Sequence, residues 1–198
     1  EGTTFTQTIT FTDPADQAPA GRTYSVVWGD GTTSSGFLAA GQLSFNISHA
    51  YADDGQTYNV QVTVDDSGAQ QDSDSFAVTV ANVAPTLNLG GANRVNEGSA
   101  YALTLNVVEP GADTITQYAI NWGDGSPVQL VAAADLPANR QVSHGYADGD
   151  ASYDISVEVT DEDGVFANAG LRSVFVDNVG PTAAVTGAAT AVEGALYT

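Results

Sequence analysis

Apolar residues in this chain fall mostly at every second position in short runs, a spacing that predicts β-strands buried on one face. The clearest run sets Tyr58, Val60, Val62 and Val64 on one side and Asn59, Gln61 and Thr63 on the other. The same arrangement returns at Tyr153, Ile155, Val157 and Val159, with Asp154, Ser156 and Glu158 facing water. Shorter alternations pair Tyr24, Val26, Trp28 with Tyr118, Ile120, Trp122, and Phe5, Ile9, Phe11 with Tyr101, Leu105, Val107. Ile47 matches Val142, and a last strand around Phe76, Val78 and Val80 matches Val174 and Val176. Gln7 is a misfit, because it falls on the inward face where the second copy carries Leu103. No stretch shows helical periodicity, and turn signals such as Gly29-Asp30-Gly31, Ser67-Gly68, Gly123-Asp124-Gly125 and Asp163-Gly164 interrupt the pattern throughout.

The matched strands are parts of a long internal repeat. Glu1-Gly2, Glu97-Gly98 and Glu193-Gly194 stand 96 residues apart, and Asn82-Val83-Ala84-Pro85-Thr86 recurs at the same interval as Asn178-Val179-Gly180-Pro181-Thr182. A period of this length is a domain, not a solenoid turn. Seven or so short strands per period match an immunoglobulin-like β-sandwich, for which roughly 100 residues is typical. The expected fold is all-β: two tandem sandwiches in an extended arrangement. Residues 1–84 form one lacking its first strand, 85–180 a complete one, and 181–198 carry the first strand and Glu-Gly of a third repeat. Such a frame reads as a window cut from a longer protein.

Composition changes the picture by exclusion. The chain has 24 Asp plus Glu against 4 Arg and no Lys, a formal charge of −20, so nucleic acid and anionic membrane surfaces are repelled. No apolar run approaches the ~18 residues that a membrane helix needs, so no membrane insertion is expected. A hydrophobic content of 42% is enough for folded cores. Without cysteine, small domains outside a cell lack their usual covalent staple, which directs attention to metal binding by the abundant carboxylates.

Residues 24–32, reading YSVVWGDGT, followed by SHAYADDGQTYNVQVTVDDSG, and their counterparts YAINWGDGS and SHGYADGDASYDISVEVTDEDG, resemble the polycystic kidney disease (PKD) domain. That family's pattern is a Trp-x-Gly-Asp-Gly turn, then His-x-Tyr, then Gly-x-Tyr-x-Val-x-Val-x-Val and an acidic turn. The linker and the Glu-Gly also resemble the junctions of bacterial cadherin-like adhesin repeats. The resemblance implies an extracellular or cell-surface protein of a bacterium, without catalytic activity.

Threading the strands as in an immunoglobulin sandwich places successive loops at alternate ends. The exit end of each unit then carries Glu1, Asp53 and Asp54, or Glu97, Asp148 and Asp150, with Asn82 or Asp177 in the outgoing linker. The opposite end carries Glu109, Asp113, Asp161 and Asp163. Stacking the units brings the two acidic sets face to face, where two carboxylates about 4 Å apart repel by roughly 1 kcal/mol in water and about 4 at an effective dielectric of 20. A cation reverses that sign. Calcium, which takes about 6 to 8 oxygen ligands in irregular geometry, suits loops from two domains; magnesium demands an octahedron, and two His without Cys do not make a zinc site. These twelve residues are the candidate Ca²⁺ ligands.

Trp28 and Trp122 could offer sugar-stacking platforms, but they alternate with inward apolar residues and read as core. His49 and His144 read as structural hydrogen-bonders, and neither Ser-His-Asp ordering nor a nucleophile elbow is present. The expected function is a calcium-stiffened structural repeat of a stalk, adhesin extender or filament. The alternative is an accessory module binding carbohydrate or protein in a secreted protein. Partners expected are neighbouring repeats or head-to-tail copies of the chain, joined by strand addition through residues 181–192, together with a polysaccharide or surface protein.

Overall fold

The computed structural model describes residues 1–13, 21–53, 55–66, 71–186 and 193–194. The first unit consists of strands β1 (Thr4–Thr10), β2 (Arg22–Val27), β3 (Thr33–Leu38), β4 (Ser44–Ala50), β5 (Thr57–Asp65) and β6 (Gln71–Thr79). The second continues with β7 (Thr86–Gly90), β8 (Arg94–Asn96), β9 (Ala100–Val108), β10 (Gln117–Asn121), β11 (Gln129–Ala132), β12 (Gln141–Gly145), β13 (Ala151–Thr160) and β14 (Val165–Asp177). A single turn of 3₁₀ helix at Ala133–Asp135 follows β11.

Each unit is a pair of sheets. In the first, β1 pairs with β4, and a second sheet runs β3-β2-β5-β6; in the second, the sheets are β12-β9-β7 and β11-β10-β13-β14-β8. Two separate apolar cores follow, one around Trp28, Ile47, Tyr51 and Val60, the other around Leu103, Trp122, Tyr146 and Ile155. The all-β, tandem-sandwich reading of the alternation is what the chain adopts. Tyr118, Ile120 and Trp122 are all buried, as are Ile155, Val157 and Val159.

The units differ at one edge. In the second, β7 pairs with β9, while β8 crosses to the other sheet and runs parallel to β14. Arg172 straps this crossover, donating to the Tyr101 hydroxyl (2.9 Å), the Leu89 carbonyl (3.3 Å), the Gly91 carbonyl and Asn93 Oδ1 (2.9 Å). The first unit has an open groove of about 690 Å³ between β1 and β6, floored by Ile9, Phe11, Val62, Val64 and Phe76. The register of β7 covers Thr104–Val108, which one 96-residue period places at Thr8–Thr12, along this groove. That explains the misfit: Leu103 is fully buried in a three-stranded sheet, whereas Gln7 stays exposed beside the open edge.

Candidate functional site

The Trp-Gly-Asp-Gly turns form the same clasp twice. The Trp28 ring stacks on His49 at 4.7 Å, and Trp122 on His144 at 4.6 Å. His49 Nε2 lies 2.6 Å from Asp30 Oδ2, and His144 Nε2 lies 2.7 Å from Asp124 Oδ2. The other oxygen of each aspartate accepts from its own turn: Asp30 Oδ1 from the Thr32 amide (2.9 Å) and hydroxyl (2.6 Å), Asp124 Oδ1 from the Ser126 amide (3.0 Å) and hydroxyl (2.6 Å). Gly123 sits at φ +81°, where an added Cβ would lie 2.5 Å from the Asp154 carbonyl, so the turn packs directly on β13. The tyrosines Tyr51 and Tyr146 close the clasp by donating to the Trp28 carbonyl at 3.1 Å and the Trp122 carbonyl at 3.3 Å. Both Trp rings are 1% exposed and therefore belong to the core.

Burial alone would raise the Asp30 and Asp124 carboxyls, but the hydroxyl, histidine and amide bonds outweigh it and hold both down at about 2. A carboxyl depressed in the folded state adds stability above its ordinary pKa of 3.8 and loses it as pH falls toward 2. Melts between pH 5 and pH 2 should show that loss concentrated below about pH 4. Asp124→Asn should flatten that slope, and an unchanged slope would remove the clasp as its cause.

A second carboxylate cluster lies between the two units. The Gly2 amide donates to the Tyr51 carbonyl at 2.9 Å and the Val83 amide to Glu1 Oε1 at 3.0 Å, which fixes the Glu1 side chain beside the linker. From the second unit comes the loop Glu109-Pro110-Gly111-Ala112-Asp113. The Ala112 amide bonds to the Ala52 carbonyl at 2.8 Å, crossing from one unit to the other. The approach is close: a Cβ on Gly2 would lie 2.1 Å from the Pro110 carbonyl oxygen, and one on Gly111 would lie 2.6 Å from Glu1 Cδ.

Among the described residues, five carboxylates meet here in two overlapping groups, Glu1, Asp53, Asp113 and Glu109, Asp113, Asp161; within each, one oxygen per residue lies within 4.8 Å of the others. Three of the five carboxylates divide their oxygens between two jobs. Glu1 Oε1 takes the Val83 amide, Glu109 Oε1 the Gly111 amide at 3.4 Å, and Asp161 Oδ1 the amides of Asp163 (2.8 Å) and Gly164 (3.0 Å). Glu1 Oε2, Glu109 Oε2, Asp161 Oδ2 and both Asp113 oxygens are buried without a hydrogen-bond partner. Glu1 and Asp161 are each only 6% exposed. Burial, then the charge of Glu1 and the close approach of its carboxyl, then the charges of Glu109 and Asp163, push the Asp113 carboxyl up to about 7. Burial and the charges of Asp161, Glu1 and Glu162 likewise raise Glu109, against the Gly111 bond. Buried ligand oxygens that no hydrogen-bond donor among the described residues faces suit a hard cation such as calcium.

Of the twelve residues singled out from sequence, Glu1, Asp53, Glu109, Asp113 and Asp161 converge. Asn82 sits between Ala81, whose carbonyl accepts from the Glu1 nitrogen at 2.9 Å, and Val83. Asp163 neighbours Asp161 without joining either group. Asp54 lies outside the described residues. Glu97 occupies the position of Glu1 in the second unit, its amide bonded to the Asp177 carbonyl (2.9 Å) and its Oε1 to the Val179 amide (2.9 Å), with its side chain half-buried. Asp148 and Asp150 are exposed near it, Asp148 Oδ1 capping the Gly149 amide at 3.1 Å and Asp150 at φ +59°. Asp177 is bound by Arg94 in a two-pronged ion pair, Nε to Oδ2 at 3.1 Å and Nη2 to Oδ1. Glu162, not singled out, accepts from the Thr114 amide at 2.6 Å and steadies the Asp113 loop.

Residues 82–175 match the family model of the PKD domain. The second unit is a PKD domain. No curated protein sequence matches the chain. Among solved structures, the chain is similar to extracellular domains 3–5 of Drosophila OTK, at 11% identity and a TM-score of 0.40 over 91% of this chain. It is also similar to red sea bream transglutaminase, at 7% identity and a TM-score of 0.38 over 79% of this chain. The chain spans 64% of the first of these and 26% of the second, and likenesses this loose carry no functional argument. The first unit, outside the matched residues, repeats the second unit's clasp with Trp28, His49 and Asp30.

Proposed function

We propose that this chain is a spacer segment of an extracellular or cell-surface protein, bacterial by its adhesin-like linkers, in which calcium at the junction between PKD units holds them in line. The observation that carries this reading is the set of buried, unpartnered carboxylate oxygens contributed by both units around Asp113. A module whose task was recognition would need no such investment between units; a spacer that must transmit force or hold reach would. Calcium bound only by the docked form adds stability as its concentration exceeds the dissociation constant, which for extracellular sites is roughly 10⁻⁴ to 10⁻³ M. Proteolysis in the linker, residues 81–85, should therefore be slowed by millimolar calcium and restored by a chelator. Equal cleavage in both conditions would reject the reading.

A second partner is proposed for the groove between β1 and β6, namely residues Thr182–Thr186 of a neighbouring copy. One period maps Thr182–Thr186 onto β7, with Ala183 and Val185 in the places of Leu87 and Leu89, and Val185 is 99% exposed. Strand addition to an open edge supplies main-chain hydrogen bonds along Thr8–Thr12 and covers Ile9 and Phe11. Light scattering at rising concentration should show head-to-tail association that Val185→Asp abolishes. A parent chain that stays monomeric throughout would end this proposal.

A further inference from the structure

The junction offers two overlapping carboxylate groups, not one. We infer that it holds two calcium ions sharing Asp113, filled in order, and that only the second of them locks the units together. This rests on the calcium reading above.

The two carboxylate groups overlap in Asp113 alone, and Asp113 is the residue with both oxygens buried and unpartnered. A carboxylate with two free oxygens facing two ligand sets can bridge, giving one oxygen to each ion, and bridged ions commonly stand about 3.5 to 4 Å apart. The charge balance favours the pair. Five carboxylates facing one dication keep three uncompensated negative charges in a partly buried space; facing two, they keep one.

The two groups have different origins. Glu109, Asp113 and Asp161 all belong to the second unit. Their loops are tied to one another within it, Thr114 to Glu162 at 2.6 Å and Asp161 to its own turn. All three ligands of that set come from one unit, so its ion requires no contribution from the other and binds first. Glu1 and Asp53 belong to the first unit, and their site with Asp113 is assembled only on docking. Its ion therefore pays the ordering cost of bringing the units together, binds more weakly, and is the one that couples calcium to inter-unit rigidity.

The test is calorimetric calcium titration of the metal-free full chain, paired with a small-angle scattering profile at each saturation step. The wild-type chain should take up two ions through this junction, with the scattering change confined to the second. Asp53→Asn should lose one ion, the weaker, and with it the scattering change, while the tighter ion remains. Asp161→Asn, which keeps the oxygen that caps the turn, should lose the tighter ion, and Glu109→Gln, which keeps the oxygen facing Gly111, should do the same from a different loop. Loss of all junction calcium in Asp53→Asn, or a single ion in the wild type, would overturn the shared-site inference. Absence of any calcium uptake that these substitutions alter would instead overturn the calcium reading itself.

Discussion

Asp113→Asn is expected to change the sign of its effect on stability with calcium. With ~10 mM calcium and a dissociation constant of ~10⁻⁴ M, a single bound ion adds roughly 2.7 kcal/mol to the docked state. Losing the residue common to both carboxylate groups forfeits at least that much. For a unit of 60 to 100 residues, each kcal/mol moves the melting temperature by roughly 4–8 °C, so the variant should melt on the order of 10 °C or more below the parent in calcium. In a chelator at about pH 8, above the raised Asp113 pKa, the same substitution removes a charge that is held in a buried place and pressed against Glu1 and Glu109; burial first and then those neighbours raise the Asp113 carboxyl. There the variant should melt at or above the parent, by an amount on the order of 1 kcal/mol. A purely structural aspartate would lower stability equally in both conditions, and differential scanning calorimetry of the two proteins in the two buffers separates the cases.

Trp122→Ala should be the most damaging single change to the second unit. Its ring is buried to 1% exposure, stacks on His144 at an interplanar angle of 8°, and donates from Nε1 to Gln129 Oε1 at 3.0 Å. Removing such a ring leaves a cavity that the surrounding strands refill only partly, costing about 3–5 kcal/mol. It also strands His144 and its bond to Asp124. Against a total of roughly 5–15 kcal/mol for a domain, that loss leaves much of the unit unfolded near its present melting range. Chemical denaturation followed by near-ultraviolet dichroism of the tyrosines checks it. A variant as stable as the parent, with altered sugar binding, would mean that the ring serves a surface.

Both expectations grow from features that are visible in the sequence to different degrees. The strands and the core were legible because alternation is a local signal: Tyr118, Ile120 and Trp122 had to share a face, and they share it against Ile155 and Val157. The junction was legible in outline, since alternating loop ends put Glu1 and Asp53 at one pole and Glu109, Asp113 and Asp161 at the other. The finer selection was not. That Asp177 is taken by Arg94 and Glu162 by the Thr114 amide depends on long-range neighbours that no spacing encodes. His49 reads as a structural hydrogen-bonder and Asp30 as part of a turn, but their bond across 19 residues emerges only when the turn folds over the strand end. Of the two ends, the acidic loop at Asp113 carried the least sequence signal, a lone aspartate in Glu-Pro-Gly-Ala-Asp, and it occupies the centre of the cluster.

The central claim is that calcium orders one unit relative to the other through this junction. Residual dipolar couplings measured on both units, in millimolar calcium and after chelation, address it most directly. The account predicts a single alignment tensor for the two units with calcium and two distinct, weaker ones without it. One shared tensor in both conditions, or two in both, would contradict it.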